Sequence, residues 1–345
     1  MKREAYLYST LPGNTVQCNT CQRRCVIPEG LHGWCGTRKN EGGRLSSLIY
    51  GEVSSLSINP IEKKPVFHFF PGSLWLSLGS VGCNFRCPGC QNWDIAHWRA
   101  GPMDTEYWSP EDVVSRANEA GCLGISWTFN EPALWFEYTL DSAKVAKAQG
   151  LYTNYVTNGF LAEEALDRIA PVLDVYRVDI KGFSDRTYAR IGHIPTFSKI
   201  LDVTVRAKRK GLHVEVVTNV IPGYNDDEQE LRRLATWIKA DLGQGTPWHV
   251  TRFHPHHELS GVPATPIATL ERIRDLGKEA GLWYVYLGNV PGHEAENTRC
   301  HQCGELLIER HIFGVLQNRI RNGACPACGA SIPGKFAAER NAERR

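Results

Sequence analysis

Between residues 74 and 289, apolar runs of strand length alternate with polar loops and with stretches whose apolar positions recur at helical spacing. The unit repeats roughly every 25–35 residues, as successive βα units around a parallel sheet would. Seven strands are read at 74–78, 124–129, 152–157, 175–180, 213–218, 249–253 and 283–287. The segments between them carry helix signals. Ser109-Pro110-Glu111-Asp112 sets a capping residue and a proline ahead of Val113, and Leu231, Leu234, Trp237 and Ile238 share one helical face. The expected fold is α/β: a partial barrel over residues 46–295, flanked by a cysteine-rich segment at 1–45 and another at 296–345. Neither flank is long enough to fold well on an apolar core alone. The small, charged residues from Gly334 to Arg345 are expected to form a solvated tail.

Each strand gives way to polar residues: the loop of Cys83, then Asn130-Glu131, Asn158, Lys181, Asn219, His254 and Asn289. In a parallel βα barrel the C-terminal ends of the strands gather at one mouth. Any one of these residues alone could be a loop or helix-cap residue. Seven in register predict a shared site.

Composition narrows the class. The 345 residues are 42% hydrophobic and 22% charged, an ordinary globular balance. The net charge is only +2 and the basic residues form no stripe, so no nucleic-acid partner is expected. No long apolar run comes after Met1-Lys2-Arg3-Glu4, so neither a signal peptide nor a membrane span is expected, and the expected location is cytoplasmic. In a reducing compartment twelve cysteines favour metal ligation over disulfides. All but Cys122 fall into three tight groups; Cys122 reads as a small buried residue.

Cys83-Asn84-Phe85-Arg86-Cys87-Pro88-Gly89-Cys90 places three thiols on one loop after the first strand. A [4Fe–4S] cluster usually takes four cysteines, so three leave one iron open to an exogenous ligand. Structural zinc is the competing reading, and it needs a fourth ligand for which only His97 lies close in sequence. Cys18, Cys21, Cys25 and Cys35 form a closed four-thiol set suited to zinc, an auxiliary iron–sulfur cluster or a reactive thiol pair. Cys300-x2-Cys303-Gly304 and Cys325-x2-Cys328-Gly329 flank a β-like stretch at 306–316, as in a zinc ribbon. His256, His257 and Glu258 could suggest another metal but have no spaced partner.

The C-x3-C-x2-C loop after the first strand resembles the signature of the radical S-adenosylmethionine (SAM) superfamily. The resemblance implies a partial TIM-type (β/α) barrel of the radical SAM type. It also implies a [4Fe–4S] cluster on Cys83, Cys87 and Cys90, with SAM chelating its open iron, and a one-electron donor such as flavodoxin or ferredoxin. Reductive cleavage of SAM would then give methionine and a 5′-deoxyadenosyl radical that takes a hydrogen atom from a substrate. Phe129-Asn130-Glu131-Pro132 stands where activases of glycyl-radical enzymes carry a Gly-Gly-Glu segment, which implies that Glu131 holds the SAM amino group; a helix cap is the alternative role. Thr157-Asn158-Gly159, Asp179-Ile180-Lys181, Asn219 to Gly223 and Phe253-His254-Pro255 resemble further SAM-site segments of that group. Asp179 and Lys181, sharing one strand face, could instead pair with each other. The superfamily usually has an aromatic residue before the third cysteine, against the adenine. Here it is Gly89, with Phe85 or Trp93 as substitutes.

Across nearly the full chain the layout resembles the radical SAM component of the AmmeMemoRadiSam system, which implies companion proteins of the Memo and AMMECR types. A glycyl-radical-enzyme activase and a non-catalytic zinc-binding adaptor are the alternative functions.

Overall fold

The computed structural model describes residues 1–99, 101, 102 and 104–336. Its centre is an eight-stranded sheet: β1 (Ser55–Pro60), β2 (Leu74–Gly79), β3 (Gly124–Trp127), β4 (Tyr152–Thr157), β5 (Val175–Asp179), β6 (His213–Val220), β7 (Trp248–Arg252) and β8 (Val285–Gly288). The strands lie side by side in chain order, β2 to β8 all parallel and β1 antiparallel to β2. These seven parallel strands are the seven read from the sequence, with ends moved by a few residues. The eighth, β1, escapes a pattern search because its apolar Leu56 and Ile58 are exposed while Asn59 is buried, the reverse of the usual half-buried strand.

Helices α1 (Pro110–Glu119), α2 (Phe136–Ala148), α3 (Glu163–Ile169), α4 (Asp185–Ile191), α5 (Ser198–Arg209), α6 (Glu228–Trp237) and α7 (Ile267–Glu279) fill the crossovers. α1 starts on a full capping box, Ser109 with Asp112, and carries Pro110 in its first turn. Side chains alternate across each strand. Leu76, Leu78, Ile125, Trp127, Tyr155, Tyr176, Val178, Val214, Val216, Val250 and Leu287 belong to the main apolar core that also takes residues from the helices. The opposite parity turns inward: Arg177 and Asp179, Val217 and Asn219, His249 and Thr251 line an internal cavity of about 580 Å³.

Among the described residues β8 and β1 do not pair, so the barrel is partial. The connection at 61–73 packs Phe69 against Trp75, Tyr152 and His213 at the N-terminal ends of β2, β4 and β6, and it meets the C-terminal segment. Phe67 and His68 donate their backbone N–H groups to the Glu215 carboxylate at 2.8–3.0 Å. The His68 ring bridges the Pro333 carbonyl (2.6 Å) and the Tyr286 hydroxyl (2.7 Å). Arg310 reaches the Phe67 carbonyl (2.9 Å) and pairs with buried Glu62 at 3.6 Å. The expected solvated tail is corrected at its start: Lys335 bridges Phe69, and its carbonyl accepts from the Phe70 N–H at 2.6 Å. The remainder of that segment, 337–345, lies outside the described residues.

The N-terminal module is two small antiparallel sheets, one of which includes Arg44–Ser47 and so runs past residue 45. It docks on the barrel through a fully buried ion pair, Arg38 with Glu137 at 2.8 Å. The C-terminal module is a three-stranded antiparallel ribbon built from Thr298–Arg299, Leu306–His311 and Gly314–Asn318. All twelve cysteines are unpaired. Among the described residues no helix is long and apolar enough to cross a membrane.

Candidate functional site

β2 delivers the chain to the mouth at Gly79, where a Cβ would stand 3.0 Å from the Phe129 side chain. A glycine there lets the turn after β3 close over the turn after β2. Phe129 itself has φ 70°, an uncommon conformation for a bulky residue and a form of strain that gathers at functional sites. Asn130 then clamps the entry to the cysteine loop: its Oδ1 accepts from Ser80 N–H (3.0 Å) and its Nδ2 donates to the Gly82 carbonyl (2.9 Å). At Gly82, with φ 85°, a Cβ would lie 2.4 Å from the Thr37 side chain, so the N-terminal module presses directly on this turn.

Cys83, Cys87 and Cys90 all line the cavity. The loop carrying them is braced by Arg86, whose guanidinium donates to the carbonyls of Cys83 (2.7 Å), Phe85 (2.9 Å) and Trp34 (3.2 Å). Asn158 Nδ2 donates to Asn84 Oδ1 at 2.7 Å and points at Cys83 Sγ at 3.7 Å. Burial raises all three thiols, Cys87 to about 11; coordination to a metal reverses this by stabilising the thiolate. Gly89 is explained by packing. A Cβ there would meet the side chains of Leu259 and Phe253 at 3.1 Å, so a larger residue at that position needs them to give way. Of the two substitutes, Phe85 lines the cavity, whereas Trp93 is 44% exposed and stacks on His257 at 4.6 Å.

Glu131 is 2% exposed and accepts three hydrogen bonds: from Ala133 N–H (3.0 Å) and Thr157 Oγ1 (2.7 Å) at Oε1, and from Asn158 N–H (2.8 Å) at Oε2. It therefore caps the 3-10 turn Pro132–Trp135 and still borders the cavity. A carboxylate has about four acceptor positions, so one is left. Burial pushes its pKa up to about 7 against those three donors. Thr157 sits behind Glu131 and does not reach the cavity.

Asp179 pairs with Arg177 at 2.9 Å. Burial alone would raise its carboxyl, but Arg177 and Lys181 hold it below the usual range. Lys181 is raised by Asp179 and by the Cys87 and Cys90 thiols, against the opposing effect of burial. The ion pair on this strand is thus Asp179 with Arg177, two residues before it, and Lys181 joins at longer range. Asn219 Oδ1 accepts from Thr251 Oγ1 at 3.3 Å on the cavity wall. His254 is exposed and does not line the cavity. His249, within β7, does; its Nε2 meets Glu215 at 2.6 Å. His97 packs edge-on to His257 at 5.3 Å, away from the cavity lining.

Sequence reasoning missed Lys64, Arg177, His249 and Thr251. The last three share the inward parity of strands already read, so strand alternation could have found them. Lys64 lies in the connection between β1 and β2 and has no such periodic signal.

The two outer cysteine sets differ in closure. The thiols of Cys300, Cys303, Cys325 and Cys328 all lie within 4.8 Å of one another, with Cys300–Cys328 at 3.6 Å and Cys303–Cys325 at 3.7 Å. Four thiolates around one ion at about 2.3 Å sit about 3.8 Å apart, so this set fits a single tetrahedral ion. Cys18, Cys21, Cys25 and Cys35 instead line a small void together with Arg23, Trp34, Arg38 and Asn84.

Residues 78–235 match the family model of the Radical SAM superfamily. Over 332 residues the chain is 42% identical to Uncharacterized protein MJ0808 of Methanocaldococcus jannaschii, covering 96% of this chain and 98% of that one. It is 24% identical over 215 residues to the Pyruvate formate-lyase 1-activating enzyme of Escherichia coli K12, covering 58% of this chain and 87% of the relative. A solved radical SAM methyltransferase from Sphaerobacter thermophilus aligns with a TM-score of 0.49 at 16% identity, covering 69% of this chain and 71% of that one. The matched region begins on β2 and takes in the cysteine loop and the exits of β2 to β6 around the cavity, and the chain belongs to the radical SAM superfamily of enzymes.

Proposed function

We propose that the chain cleaves SAM reductively at a [4Fe–4S] cluster held by Cys83, Cys87 and Cys90, and that it works within the AmmeMemoRadiSam system alongside Memo-type and AMMECR-type proteins. The observation that carries the chemistry is the opening of three thiols from one loop into a cavity shared with Glu131, Asn158, Asp179, Lys181 and Asn219. Three cysteines leave one iron for SAM, and Glu131 keeps one free acceptor position for an ammonium group. When bound, cluster and SAM supply a 5′-deoxyadenosyl radical for hydrogen abstraction. The chain's own residues position that chemistry. Asn130 fixes the loop entry, Arg86 braces the loop, and Asp179, Lys181 and Asn219 offer polar contacts to SAM.

In this reading the electron comes from a flavodoxin- or ferredoxin-type donor in the cytoplasm. The ribbon thiols hold zinc, and Cys18, Cys21, Cys25 and Cys35 hold zinc or an auxiliary cluster. A second reading, activation of a glycyl-radical enzyme, is favoured by the relationship to the Escherichia coli activating enzyme; a glycine-centred spin signal on a partner would select it. The test is dithionite-driven 5′-deoxyadenosine formation by anaerobically reconstituted protein, with iron, sulfide and zinc counted. Wild type should form 5′-deoxyadenosine, and the triple variant Cys83→Ala, Cys87→Ala, Cys90→Ala should form none. Equal yields, or a wild type holding zinc without labile sulfide, would sink the proposal and favour a zinc-binding adaptor.

A further inference from the structure

Lys64 is 4% exposed, comes directly after the turn Ile61–Lys63, and borders the same cavity as the three cysteines. Among the described residues its ammonium has neither an acid within ion-pair reach nor a hydrogen-bond acceptor; its contact is the face of the Phe129 ring, 5.1 Å from the centroid. A buried cation without a partner is costly, so it is seldom kept without a use.

The acids that line the cavity are already engaged. Glu62 accepts from Gly72 N–H (3.0 Å) and faces Arg310; Glu131 has three donors; Asp179 has Arg177; and Glu296 accepts from Ile312 N–H at 3.0 Å. Arg177 is likewise committed to Asp179, and Lys181 lies among Asp179 and the thiols of Cys87 and Cys90. Lys63 also borders the chamber without an ion pair but is exposed, so among the described residues Lys64 stands apart as the buried cation there without a counter-charge. Its surroundings favour a strong ionic contact: the Phe129 ring lies against the ammonium, Phe67, Leu287, Val290, Ile312 and Phe313 add apolar surface to the cavity, and a charge pair gains strength as the local polarity falls. Burial, with Lys63 and Arg177 nearby, pushes the ammonium down to about 7, the direction that an incoming anion would reverse.

We propose that Lys64 binds an anionic group, a carboxylate or a phosphate, on the molecule that enters this cavity, so that the substrate class is anionic. The word substrate rests on the radical SAM reading; the anion site itself does not.

The test uses full-length, cluster-reconstituted protein saturated with SAM. Sodium succinate and inorganic phosphate are titrated separately by calorimetry, with ionic strength held constant by chloride. One anion should bind at one equivalent per chain, and which one binds names the group. Lys64→Met should weaken it by about tenfold or more, the loss expected when a charged hydrogen-bond donor is removed, and Lys64→Arg should restore much of the affinity. Iron content and thermal unfolding report whether each variant folds, and Lys64→Gln replaces Lys64→Met should the latter fail. The proposal is overturned if neither anion binds above chloride, or if the neutral variant binds as wild type does. It is also overturned if the neutral variant loses SAM affinity, since Lys64 would then serve the carboxylate of SAM. Anion binding by a wild type that forms no 5′-deoxyadenosine would sink the radical reading and leave the anion site standing.

Discussion

The cavity has two walls built on different principles. The strand-exit wall is made by residues at the ends of β2 to β7, each set by a periodic element and linked to its neighbours by short polar contacts such as Asn130 to Gly82 and Asn158 to Asn84. The second wall, the seam, is made by residues 62–65 and 67 of the connection between β1 and β2 and by the tip of the C-terminal ribbon, Ile312 and Phe313. It depends on contacts between segments far apart in sequence, Arg310 to Phe67 and His68 to Pro333 among them. Parallel strands thus supply a generic reactive end. In the proposed reading the seam is the wall that meets the substrate.

The sharpest way to break this contrast is Arg310→Ala. Arg310 is fully buried, pairs with Glu62, and donates to the Phe67 carbonyl, the Glu296 carbonyl (3.1 Å) and Thr298 Oγ1 (2.8 Å). Its loss leaves Glu62 buried without a counter-charge, and denaturant unfolding should show a destabilisation of about 3–5 kcal/mol. A change within the scatter of surface substitutions would mean that the seam does not hang on this pair.

The next largest effect concerns Lys64. Its folded pKa of about 7 lies below the ordinary lysine value of 10.5, so the unfolded chain binds more protons between those limits and stability rises with pH across them. Relative to Lys64→Met, the apo wild type should gain about 1.4 kcal/mol per pH unit between roughly pH 7 and 9, measured by denaturant midpoints. Parallel curves for the two proteins would show that the ammonium is not desolvated.

On the strand-exit wall the expected effect is smaller. Asn130→Ala removes two hydrogen bonds to the 80–82 turn and should cost about 2 kcal/mol, with less iron retained after reconstitution. Full iron content in a stable variant would show that the loop enters correctly without the clamp.

How far the sequence could be read divides along the same line. The seven parallel strands, the capped α1 and the three-cysteine loop are local patterns, and all are present where the pattern put them. Glu131 and Asn158 were legible as strand-exit residues, and the cap that Glu131 places on Ala133 was legible as its alternative role; that Glu131 is also the acceptor for Thr157 was not. His254 shows the limit of that reasoning: it stands just past β7, yet the chain turns away and the cavity takes His249 and Thr251 instead. Arg177 was hidden because a charged residue inside a strand does not look like a site until its inward parity is known. Lys64 and Arg310 were not legible at all, since their meaning arises only when residues 61–67 and 298–312 meet.

The central claim is an iron held by three cysteines and open to SAM, and the electron paramagnetic resonance spectrum of the dithionite-reduced protein tests it most directly. Adding SAM should change the signal of the cluster in wild type, and that SAM-sensitive signal should vanish in the triple Cys83→Ala, Cys87→Ala, Cys90→Ala variant. A cluster signal that SAM leaves unchanged, or one that survives SAM-sensitive in the triple variant, would contradict it.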